Sequence, residues 1–184
     1  GKSSTSFALA SVIARTGTRA LLIDADMRSP SIHGMLGLEN TGGLSNVLAG
    51  EREWGRLVQA SPYGNLSVMS AGPAPPSAAE LLSGERLGEF IASALEQYDH
   101  VVVDGPPLLG MTDAQLIARA VEGVVYVVQS AGASVRAVRA SIDRLNLVNA
   151  HVFGVILTKL KLKSNAYTYG YGYGQQYGDT AEAG

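Results

Sequence analysis

Apolar and polar positions along the chain follow two periods, and the switches between them lay out the elements. Phe7, Leu9, Ala10, Val12, Ile13 and Ala14 recur at helical spacing and stop at Thr16-Gly17. That predicts a helix with Gly17 at its C-terminal cap. Leu21-Leu22-Ile23 then run straight into Asp24-Ala25-Asp26. A continuous apolar run closed by acid predicts a buried parallel strand over 21–26 that leaves a sheet at its carboxyl edge. Short helices are expected over 31–38 and 44–48, and an alternating strand over 66–70. After the stiff loop 71–76, Ser77 with Glu80 three residues on reads as a capping box that opens a helix through Leu82. A helix over 87–98 carries Phe90, Ile91, Ala94 and Leu95 as a core stripe. A second apolar run, His100-Val101-Val102-Val103, ends in Asp104. Helix 112–120, strand 123–129, helix 134–147 with Val135, Val138, Ile142 and Leu145 on one face, and strand 152–157 complete the series.

This alternation predicts an α/β fold, a mostly parallel sheet flanked by helices. A helix followed by an apolar strand is half of a βαβ unit, so a further strand is expected upstream of Gly1, the first strand of the sheet. With 184 residues, 46% of them apolar and 16% charged, one domain with a full core accounts for the chain. A formal net charge of −2 supplies no basic field for nucleic acid. The absence of cysteine excludes a disulfide scaffold and thiolate metal sites. No apolar run approaches the ~18–20 residues that span a bilayer.

Composition changes sharply after residue 160, which divides the chain into a domain over 1–160 and a tail over 161–184. Lys159, Lys161 and Lys163 form a short basic exit from the sheet. Five of the eight tyrosines, Tyr167, Tyr169, Tyr171, Tyr173 and Tyr177, then fall within eleven residues interleaved with glycine. Alternating glycine and a lack of aliphatic residues leave nothing to bury, so the tail is expected to be flexible.

Three stretches carry candidate chemistry. Gly1-Lys2-Ser3-Ser4 matches the end of G-x-x-x-x-G-K-[ST], with a helix starting immediately after it, so free N–H groups and the positive helix end would meet a phosphate. Asp24 and Asp26, one residue apart on an extended chain, would face opposite sides, so only one should reach a given metal. Asp104, followed by Gly105-Pro106-Pro107, fits a Walker B strand whose acid orients Mg²⁺ or its water. His33, His100 and His151 show no metal-ligand spacing, and Trp54 reads as a packing residue.

Together, Gly1-Lys2-Ser3, the Leu22–Arg28 stretch (a Walker A′ pattern), Val101 to Pro106 and the terminal tyrosines resemble the bacterial tyrosine kinases, the BY-kinases, of the deviant P-loop ATPase group. The likeness extends through Gly43 to Gly50 and Gly72 to Leu82. It implies a P-loop NTPase-like fold cut within Walker A, with ATP and Mg²⁺ as cofactors. It also implies roles: Gly1, Lys2, Ser3, Ser4 and Arg28 around the nucleotide, and Ser3, Asp24 and Asp104 around the metal. Lys2, Asp24, Asp26 and Asp104 would be catalytic, with Asp24 a candidate acceptor of the tyrosine proton. The five tail tyrosines would be the phosphoacceptors. Implied partners are a transmembrane polysaccharide co-polymerase domain or activator protein, in the same or a separate chain, further copies in a ring, and a tyrosine phosphatase. Nucleic acid is not among them. The implied location is the cytoplasmic side of the bacterial inner membrane, and the implied task is control of exopolysaccharide or capsule polymerisation and export. Thr158 stands where related ATPases often place an adenine-contacting asparagine, which leaves adenine recognition unassigned.

A competing expectation is a switch ATPase of the cell-division or plasmid-partition type, with the same fold and nucleotide chemistry but water as acceptor. The tyrosine tail separates the two, because such ATPases usually end in a helix.

Overall fold

The computed structural model describes residues 1–130 and 132–160. Tyr167, Tyr169, Tyr171, Tyr173, Tyr177, Lys161 and Lys163 lie outside the described residues.

In chain order, helix α1 (Lys2–Arg15) leads to strand β1 (Ala20–Asp24), helices α2 (Ile32–Leu36) and α3 (Leu44–Ala49), and a 3-10 turn over Trp54–Leu57. Strands β2 (Val58–Ala60) and β3 (Leu66–Met69) precede helices α4 (Ala78–Ser83) and α5 (Arg86–Leu95). Strand β4 (His100–Asp104), helix α6 (Asp113–Ala120), strand β5 (Val124–Gln129), helix α7 (Val135–Leu147) and strand β6 (Val152–Thr158) follow.

All five residues of β1 are buried, and its side chains alternate between two cores. Leu21 and Ile23 pack with Met69, Leu87, Phe90 and Trp54, whereas Ala20 and Leu22 pack with Ala10, Ala14, Ile32 and Val68. A strand covered on both faces has no place for a polar side chain before its end, which is why the apolar run extends unbroken to Asp24. Its neighbour β4 lies parallel in register from Ala20↔His100 to Asp24↔Asp104. Two carboxylates are thereby set side by side at one carboxyl edge.

The sheet order is β2-β3-β1-β4, with β2 antiparallel to β3 and the rest parallel. Strands β5 and β6 form a separate parallel pair. The expected single sheet is thus present as two. Among the described residues β4 and β5 are each paired on one side only, and both line a cavity of about 450 Å³ with Leu9 and Ile13 of α1. The outer edge of β6 is likewise unpaired among the described residues, and Phe153, Val155 and Leu157 on one of its faces are exposed.

Local signals hold at most boundaries. Arg15 ends α1 before Thr16, and Gly17 follows at φ +92. Ser77 Oγ accepts the N–H of Glu80 at 3.3 Å. Three expectations shift. Helix α5 stops at Leu95, where the chain tightens: the N–H groups of Glu96 and Gln97 donate three residues back, to the Ser93 and Ala94 carbonyls. Val135, expected on the inner face of its helix, is exposed in the first turn of α7. Strand β2 and the Trp54–Leu57 turn were not expected; the strand is only three residues long, too short for a period to register. Trp54 does pack, edge-on to Phe90 with ring centroids 5.4 Å apart.

The N-terminus of α3 meets the end of β3 at close quarters. Leu44 and Ser45 donate their N–H groups to the Ser70 and Ala71 carbonyls, both at 2.9 Å. Gly43 is required there by space, since a Cβ at that position would lie 1.9 Å from Ser70 O.

Candidate active site

At the carboxyl edge of the four-stranded sheet the start of α1 faces the ends of β1 and β4. Lys2, in the first turn of α1, places Nζ 3.2 Å from both Asp104 carboxylate oxygens. It also lies 3.9 Å from Asp26 Oδ2 and 3.4 Å from Ser3 Oγ. Asp104 is fully buried, and its other donor is Ser6 Oγ at 2.9 Å. A buried carboxylate is tolerated when it is paired and hydrogen-bonded, and here it has both.

Asp24, also fully buried, is satisfied by backbone. Its Oδ1 accepts the N–H of Asp26 at 3.1 Å. Its Oδ2 accepts those of Ser31 and Ile32, each at 2.9 Å. Burial pushes the Asp24 carboxyl above the usual aspartate value; the three N–H groups pull it back, and repulsion from Asp104 adds to the rise. Asp26 sits just past the strand and accepts the Ser29 N–H at 3.1 Å. The turn 25–31 is therefore folded around Asp24, at the end of β1, and its own Asp26. It reaches α1 through Ser31 Oγ, which donates to Ser3 Oγ at 2.9 Å.

The remaining expected residues are placed differently. Ser4 is exposed. Arg28 forms a two-pronged pair with Asp113, Nε to Oδ2 at 2.7 Å and an Nη to Oδ1 at 3.3 Å, which holds its guanidinium above the ordinary arginine value. Gly1 lies beside the end of β6, where a Cβ would stand 3.4 Å from Thr158 Oγ1. Ser6, Ser31 and Asp113 were not singled out from sequence. Ser6 had a signal, since it lies four residues after Lys2 on one helix face. Asp113 and Ser31 read only as residues at helix starts.

Among the described residues no group of three or more histidine, cysteine or acidic side chains could hold a metal by itself. The donors gathered here, the Ser3 hydroxyl with the Asp26 and Asp104 carboxylates, are hard oxygens. Mg²⁺ is ordinarily held by one or two carboxylates together with substrate phosphates and water, and not by an all-protein cage. The residues present fit that arrangement.

The ParA family model, described as NUBPL iron-transfer P-loop NTPase, matches residues 1–175. The tyrosine-protein kinase YwqD of Bacillus subtilis is 38% identical over 162 residues, which cover 88% of this chain and 68% of YwqD. The chain belongs to the bacterial tyrosine-kinase family of P-loop NTPases. Another member of this family, tyrosine-protein kinase wzc of Salmonella typhi, is 40% identical over 152 residues, 83% of this chain but only 21% of wzc. The kinase domain of Escherichia coli ETK superposes with a TM-score of 0.81 at 35% identity, covering 90% of this chain and 66% of that one. The family is a nucleotide-binding one, and this kinase-family chain presents Lys2 and Ser3 where a helix N-terminus meets the sheet edge. No helix among its described residues is long and apolar enough to cross a membrane.

Proposed function

We propose that the chain is the ATP-using catalytic domain of a protein-tyrosine kinase that phosphorylates its own tyrosine-rich tail, and that this controls polymerisation and export of an exopolysaccharide or capsule. The observation that carries the reading is the cluster of Lys2, Ser3, Asp26 and Asp104 at one sheet edge, centred on the 3.2 Å contact of Lys2 with Asp104, in a chain that ends in five clustered tyrosines.

Phosphoryl transfer is chiefly positioning and charge neutralisation. Lys2 would exchange its contact with Asp104 for the β- and γ-phosphates. Ser3 and Asp104 would hold Mg²⁺, which would supply positive charge to neutralise the phosphates. The tyrosine oxygen attacks the γ-phosphorus, the bond to the β-phosphate oxygen breaks to release ADP, and the phenol proton passes to a carboxylate. A phenol of pKa ~10 needs such an acceptor. Asp24 has both oxygens engaged by backbone, so its part is to order the turn. Asp26 keeps one oxygen free toward Lys2 and is the better placed acceptor.

Strand β6, which precedes the tail in sequence, ends at Thr158 beside Gly1. From Leu160 to Tyr177 is seventeen residues, a typical reach of ~20–25 Å, enough for transfer within the chain or to a neighbouring copy in a ring. Membrane attachment through a co-polymerase domain or activator protein, and reversal by a tyrosine phosphatase, complete the proposal. Lys2→Ala and Asp104→Asn in the full-length protein should each lower tail phosphotyrosine by at least ~10²-fold. Undiminished anti-phosphotyrosine signal in both would overturn the kinase reading. Steady phosphate release without phosphotyrosine by mass spectrometry would establish the switch ATPase in its place.

A further inference from the structure

Asp113 is the first residue of α6, and only 2% of it is exposed. A buried carboxylate is costly unless paired, and among the described residues its hydrogen-bond partner is Arg28, held by the fork. Arg28 is half-exposed and belongs to the turn that carries Asp26 and Ser31. Asp113 ends the segment that leaves β4 from Asp104. The pair therefore joins, across 85 residues of sequence, the two segments that bring the acids to the site. At their base those segments are also tied by the Ala25 N–H on the Asp104 carbonyl, 2.9 Å.

We propose that Asp113 is a positioning residue for the metal side of the site: through Arg28 it fixes the 25–31 turn so that Asp26 and Ser31 stay in register with Lys2, Ser3 and Asp104. This rests on the reading of the site as one for Mg·nucleotide. The Arg–carboxylate fork fixes direction as well as distance, which a single lysine contact does not. The turn has two contacts with α1 at the site, Ser31 on Ser3 at 2.9 Å and Asp26 near Lys2 at 3.9 Å. Mg²⁺ demands near-ideal octahedral geometry, whereas a lysine follows a phosphate on a flexible stem. Loosening the turn should therefore weaken metal-assisted binding more than binding of the nucleotide alone.

The test uses the full-length protein and ADP affinity by calorimetry, measured with Mg²⁺ and with EDTA, alongside thermal melting. In D113N and in R28K the gain in ADP affinity on adding Mg²⁺ should fall about tenfold, the low end for partners one layer out from a metal. The double variant should lose no more, while the EDTA affinity of D113N stays near wild type. R28K keeps a cation against the buried carboxylate, so it preserves the fold should D113N melt early. A full Mg²⁺ gain in both single variants overturns the inference. So does a parallel fall of melting temperature and both affinities, or multiplication of the two losses in the double variant. A wild-type protein whose ADP affinity ignores Mg²⁺ overturns the Mg·nucleotide reading itself, and this inference with it.

Discussion

Asp24 closes an apolar strand with a carboxylate that solvent does not reach, held by three backbone N–H groups. Burial outweighs those bonds, so its folded value is raised above 3.8. An acid raised on folding contributes stability that is full below its unfolded value and is lost as pH climbs through its folded one. Asp24→Asn removes that loss but sets an amide N–H₂ against backbone donors. The variant should be less stable than wild type in acid, and the gap should narrow as pH climbs from about 4 toward the raised folded value. Urea unfolding across that range reads it, and parallel stability curves would refute it. The neighbouring carboxylates have other partners: Lys2 and Ser6 contact Asp104, and Lys2 and a single N–H contact Asp26. Three acids that look equivalent as letters have three environments.

The elements show why part of this was readable in advance and part was not. Strands β1 and β4 are buried runs ending in acid, and burial on both faces writes itself into consecutive apolar residues. Ser77 and Gly17 announce helix ends through side-chain and backbone chemistry local to them. Strand β2 exists only because β3 offers it an edge, and Val135 is exposed because of where α7 lies, so neither leaves a local trace. The Arg28–Asp113 pair joins positions whose nearness depends on the packing of α6, which no periodicity encodes. Two elements give direct tests. Ser77→Ala, which strips the cap of α4, should cost about 1 kcal/mol. Gly43→Ala must push backbone off Ser70 O and should cost at least ~1–3 kcal/mol. Chemical denaturation measures both, and a neutral Gly43→Ala would contradict the close approach of α3 to β3.

For the whole molecule the cavity between β4 and β5 matters most, because it lies beneath α1, the helix that presents Lys2 and Ser3. Leu9, on the cavity side of α1, is 40% exposed, so that side of the helix is less fully packed than the buried acids facing its start. The 184-residue chain by itself should bind Mg·ATP weakly, and tight binding by calorimetry would disprove this. Full phosphorylation of the five tail tyrosines would add roughly −8 to −10 charges to a chain of formal charge −2. Copies held together should then repel, an effect that salt would mask.

Strand β6 has a practical consequence at the bench. Its edge, unpaired among the described residues and with Phe153, Val155 and Leu157 exposed, is the kind of row that recruits another strand. Concentrated samples of this chain should drift toward polydispersity, with sedimentation coefficients that climb with concentration and ignore nucleotide. A closed ring would instead give one discrete boundary. Replacing Val155 with lysine should return the sample to a single slow species, and it separates sticky-edge association from the ordered assembly that a kinase ring would represent.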